Sequence, residues 1–131
     1  MNVSTPIAAS GLALGLILMA APLTVFAHHS TAPYDLEHGT SLRGVVTQYE
    51  WRNPHTLIQL DVTNSAGKVE HWTVETESLI VLTRLGWTKD SLKPGDVMTT
   101  IGARAKDGKF MLRCNTVELP NGKQLPCFPQ S

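Results

Sequence analysis

The stretch HTLIQLDVTNSAGKVEHWTVE, residues 55–75, decides the fold. In its first half Ile58, Leu60 and Val62 alternate with His55, Leu57, Gln59 and Asp61, and a period of two puts the three β-branched or aliphatic side chains on one face of a strand. Asn64-Ser65-Ala66-Gly67 supplies turn chemistry. The alternation then resumes from Lys68 to Glu75, with Trp72 and Val74 on one face and His71 on the other beside Val69 and Thr73. A β-hairpin with one strongly apolar face follows from this pattern.

Upstream, Thr40–Trp51 (TSLRGVVTQYEW) is rich in β-branched and aromatic residues and reads as a long first strand, with a bulge or sharp bend expected at Gly44. Arg52-Asn53-Pro54 ends it, because proline has no amide to give the ladder and steers Asn53 away from helical geometry. Downstream the period changes. Leu79, Leu82 and Leu85 recur at helical spacing, Thr76 is placed to cap a short helix, and Gly86 stands where a left-handed C-terminal residue is expected. Trp87 is expected to anchor the helix exit.

Pro94-Gly95-Asp96 turns the chain into a fourth strand, Asp96–Ala105, along which Val97, Thr99, Ile101 and Ala103 alternate. Lys106-Asp107-Gly108 leads into a fifth, Lys109–Leu119, with Phe110, Leu112 and Cys114 on one face. A short return segment, KQLPCF, follows Pro120-Asn121-Gly122. Three strands, a short helix and two more strands give an all-β class with one short helix, and the order β-β-β-α-β-β is that of a small five-stranded OB-fold-like barrel. An SH3-like barrel is the rival, but it usually lacks a helix between its third and fourth strands. A fold of this kind hosts many activities and assigns none.

Residues 1–27 carry no Asp, Glu, Lys or Arg, and an apolar run from Gly11 to Phe26 ends at Ala27. This is the pattern of a cleavable signal peptide, cut after Ala27, so that export to the periplasm is expected and no membrane attachment after cleavage. Residues 28–39 lack periodicity and read as an irregular N-terminal arm; residues 40–131 form the domain. With 11 basic and 11 acidic residues the net charge is zero, which excludes a nucleic-acid partner that would demand a positive footprint. Two cysteines, Cys114 and Cys127, in an exported chain point to a disulfide. A four-residue loop over 119–122 would set them directly opposite each other, and a two-residue Asn121-Gly122 loop would offset them by two positions.

The combination of AHHS at 27–30, G-x-V-x-x-Y-E-W-R-N-P-H from Gly44 to His55, R-L-G-W-T-K-D-S-L-K-P-G-D from Arg84 to Asp96 and A-K-D-G from Ala105 to Gly108 resembles a family of small exported bacterial proteins of unknown function, domain-of-unknown-function family 6152. The resemblance covers essentially the whole chain after Ala27 and implies no activity, substrate or catalytic residue. Cys114 and Cys127 stand outside its motifs.

The residues that could carry chemistry are few. Cleavage after Ala27 would free the amino group of His28, which with its own ring Nδ1 can hold one metal ion; His55 is the simplest further donor and His29 an alternative. Amine and imidazole nitrogens in tetragonal geometry suit Cu(II). Against this stands the reading of a polar arm and of His55 as a turn residue bonded to a backbone carbonyl. His38 and His71 have no second ligand at short spacing. Trp51, Trp72 and Trp87 could form a stacking surface, but three large rings in a small domain are better read as core. No nucleophile elbow, zinc-protease motif or phosphate loop is present, and Glu75 and Glu77 read as solvated charges, so an enzyme is not expected. Two functional expectations follow: a periplasmic copper-binding protein using His28, or a metal-free interaction module that presents the barrel face to a peptide, glycan or envelope protein.

Overall fold

The computed structural model describes residues 33–129. The expected signal peptide and cleavage point, and His28 and His29, lie outside the described residues. The elements are β1 (Tyr34–Glu50), β2 (Leu57–Thr63), β3 (Val69–Glu75), α1 (Leu79–Arg84), β4 (Val97–Ala105), β5 (Met111–Glu118) and β6 (Gln124–Pro126). β1 pairs antiparallel with both β2 and β4, β2 with β3, and β4 with β5. A parallel pairing of β3 with β5 closes these five strands into a ring. Ring order and helix position agree with the OB-fold-like expectation; the return segment adds a sixth strand, β6, antiparallel to β5.

The interior is filled from every strand and from the helix. Ile58, Leu60, Trp72, Val74, Leu82, Trp87, Met98, Leu112 and Val117 are all within a few per cent of full burial. β1 serves both halves of the ring because it changes phase. Thr47 is an extra residue between the pairs Val46↔Leu60 and Gln48↔Gln59. Leu42 and Val46 therefore face inward before it, and Tyr49 and Trp51 pack against the same core after it. The expected bulge thus falls at Thr47 and not at Gly44. Gly44 has a different reason to be glycine: a Cβ there would run into the Asp61 carbonyl of β2. Gly102 is similarly pinned by the Arg113 carbonyl of β5.

Two further expectations are corrected. The strand begins at Tyr34, so residues 34–39 belong to β1 and not to an irregular arm; Tyr34 pairs with Ala105, and the chain rejoins the ladder at Gly39↔Ala103 after bulging out over Asp35–His38. Burial of the Tyr34 ring supplies the anchor that a polar composition concealed. Thr76 does not cap the helix, because its hydroxyl is turned inward to donate to the Thr56 carbonyl at 2.9 Å. Ser78 holds the N-cap position without a side-chain bond, and the side chain of Asn53 accepts from the Leu79 amide instead, at 3.1 Å.

At the other end of α1 the reading holds. Gly86 has φ of 92°, its amide donates to Thr83, and the Trp87 amide donates to Leu82. These two bonds make a Schellman closure. Trp87 is buried, and its indole N–H donates to the Pro126 carbonyl at 2.8 Å, tying the helix exit to β6.

Cys114 and Cys127 are disulfide-bonded, with Cα atoms 5.7 Å apart. The register lies between the two expected ones. Leu119 bonds Lys123 around the turn, and the Cys127 amide donates to the Asn115 carbonyl, so that Cys127 stands level with Asn115 and one position away from Cys114. The turn over Pro120-Asn121-Gly122, closed by Leu119 and Lys123, sets this register; Asn115 is in addition an extra residue on β5 between Cys114↔Gly102 and Thr116↔Ile101. That insertion lets Cys114 and Val117 both face inward.

Two stability measurements check this account. Gly102→Ala should cost on the order of 1–3 kcal/mol in urea unfolding, since the added methyl meets backbone that cannot rotate aside. Replacing both cysteines by alanine should cost about 3 kcal/mol, the loop-closure entropy released in the unfolded chain.

Candidate functional site

His55 follows directly from the break between β1 and β2, where the Asn53-Pro54 peptide is cis. Two elements fix its position. The Asn53 side chain docks this loop onto the first amide of α1. Behind it, Thr56 is fully buried and exchanges backbone bonds with the end of β3: its amide donates to Glu77, and its carbonyl accepts from both the amide and the hydroxyl of Thr76. The His55 ring is thereby laid against the Thr76 carbonyl, with Nδ1 2.8 Å from that oxygen. A carbonyl can only accept, so Nδ1 carries the proton and the neutral ring has its lone pair at Nε2.

Glu75 completes the arrangement. Its Oε1 lies 3.5 Å from His55 Nδ1, and the two side chains are 26% and 23% exposed. Its Oε2 accepts a hydrogen bond from the Tyr34 hydroxyl at 2.5 Å. Tyr34 comes from the start of β1, and its ring is buried with Ala103 and Ala105 of β4 and packs on Met111 of β5. Burial, first, and then the hydrogen bond and charge of Glu75 push the Tyr34 phenol well above the usual tyrosine range, so it remains a donor. The line Tyr34–Glu75–His55–Thr76 thus joins the beginning of the described chain to the β1–β2 loop.

The other candidate residues separate. His38 rests on Asp35 at 3.0 Å in the exposed bulge of β1. His71 faces Asp61, its cross-strand neighbour, at 2.6 Å and is largely exposed. Trp72 and Trp87 are buried and Trp51 is half-buried against the core, so the three rings do not make one stacking surface. Among the described residues, no three His, Cys, Asp or Glu side chains gather as a metal-binding group.

Tyr34 and Glu75 were not legible as site residues. Glu75, read as a solvated charge, is held between two side chains, and its partner Tyr34 lies 41 positions away. No local pattern could pair them. The one available signal was an aromatic residue isolated in an otherwise polar segment.

The sequence matches the family of unknown function DUF6152 over residues 16–112. The chain belongs to this family. Tyr34, His55 and Glu75 all fall within the matched DUF6152 residues, whereas Cys114, β6 and Cys127 follow them. No curated protein is significantly similar to the chain. Within this DUF6152 protein, Tyr34→Phe should cost about 1 kcal/mol in urea unfolding, the value of one hydrogen bond when the aromatic packing is kept.

Proposed function

We propose that this is an exported periplasmic protein that binds Cu(II) through the processed amino terminus of His28 and the ring of His55. Its role on this reading is sequestration or delivery of the metal, not turnover. The observation that carries the proposal is the Tyr34–Glu75 bond, which anchors the start of the described chain on the same carboxylate that faces His55. His28 lies six positions before Tyr34, and six residues span up to about 20 Å when extended. That reach is ample for an amino-terminal chelate to meet the His55 ring.

Two other features support it. The Nδ1–H bond to the Thr76 carbonyl leaves the His55 lone pair at Nε2, the arrangement found behind metal-binding histidines. The buried disulfide suits an oxidising compartment. The alternative, a metal-free module that presents the barrel face to a peptide, glycan or envelope protein, has less to draw on in its aromatic residues, since Trp72 and Trp87 are in the core and Trp51 is half-buried.

The test is a Cu(II) titration of protein beginning at His28, followed by electron paramagnetic resonance. One equivalent should bind with nitrogen hyperfine structure, and both His55→Ala and a one-residue extension ahead of His28 should change the spectrum and weaken binding. Identical spectra for the native and extended termini would refute the terminal chelate.

A further inference from the structure

We infer that Glu75 is a positioning residue of His55, acting with the Thr76 carbonyl to hold the ring in the tautomer that presents Nε2. The inference rests on the copper reading for its purpose, but its geometry stands without a metal.

Glu75 has a fixed origin. Its backbone is paired on one side with Leu57 of β2 and on the other with Arg113 of β5, so the last residue of β3 is held between two strands. The carboxylate is fixed at its far end too. Because Oε2 takes the hydroxyl of the buried Tyr34, Oε1 is directed at His55 Nδ1. That nitrogen then faces two acceptors, the Thr76 carbonyl at 2.8 Å and the Glu75 carboxylate at 3.5 Å. A proton on Nδ1 bonds the carbonyl and faces the carboxylate; a lone pair there would confront two oxygens. The carboxylate also makes the ring a better electron donor at Nε2, as carboxylates behind metal-bound histidines do, and loss of such a partner typically weakens metal affinity by about 10–100-fold.

Tyr34 is what keeps Glu75 in this role. A glutamate on the outer face of a strand end would otherwise turn to solvent, and its side chain has several rotamers to choose from. The inward hydroxyl removes that freedom. His55 orientation is thereby tied to the docking of the segment that leads out toward His28.

The experiment compares the native chain from His28 with Glu75→Gln and Glu75→Asp, each checked for native circular dichroism. In metal-free, 15N-labelled protein, the neutral His55 ring of the native chain should show the Nδ1–H tautomer. Glu75→Gln should admit a measurable minor share of the Nε2–H form against the pull of the Thr76 carbonyl, because the new amide can donate to Nδ1, whereas Glu75→Asp adds no donor and should keep Nδ1–H. With Cu(II) as the probe, Glu75→Gln should lose about tenfold in affinity. Unchanged 15N shifts in Glu75→Gln, or the same tautomer mixture in both variants, would overturn the positioning role even if copper binds at His55. If the native chain takes up no Cu(II), the copper reading fails alone, and the 15N comparison still decides the part played by Glu75.

Discussion

Everything in this fold hangs on a short parallel contact, Thr73↔Met111, Val74↔Leu112 and Glu75↔Arg113, where β3 meets β5. Without it the other pairings make an open sheet whose two ends would expose apolar faces. With it, five strands surround one core, and Val74 and Leu112 become fully buried at the seam. Parallel pairing needs a long crossover. Here the segment from Thr76 through α1 and β4 supplies it, and Leu82 and Trp87 cover the interior on the way. The seam also has an outer face, and there it sets Glu75 beside the strand that carries Met111 and Arg113, under the ring of Tyr34.

The parts of the fold that could be read in the sequence are those governed by neighbours along the chain. The alternation of Ile58, Leu60 and Val62 and of Trp72 and Val74 gave both central strands, and Gly86 marked the helix end through its own backbone conformation. What escaped were events in which one strand answers another. Thr47 and Asn115 look like ordinary strand residues, yet each is the extra residue that resets which face is inside. Gly44 and Gly102 could be seen as glycines, but their cause is a carbonyl on a neighbouring strand. Thr76 was legible as a polar residue at a helix start; only the buried Thr56 carbonyl explains why it turns inward.

The same division holds for the site. His55 was legible because Pro54 sets it at a chain reversal, and the carbonyl partner proposed for a turn histidine is indeed present at Thr76. Glu75 and Tyr34 were not, because their importance arises from a side-chain bond across the ring closure. Polar groups in this region are consistently paired: among the described residues no buried side-chain nitrogen or oxygen lacks a partner. Asn53, Thr56 and Thr76 show how this is achieved, each hydrogen-bonded to the backbone of a different segment. The loop that carries His55 is therefore fixed by bonds rather than by apolar packing, and the ring itself is half-buried.

β6 brings a consequence of another kind. Without it, the second half of β5 would offer a row of unpaired amides and carbonyls, the sort of edge on which neighbouring molecules can add strands. β6 covers that row from Gln124 to Pro126, is fastened by the adjoining Cys127 and by the Trp87 indole, and ends at a residue with no amide hydrogen to offer. The added strand thus replaces an open ladder by a short, covalently held border that gives an incoming chain little to pair with.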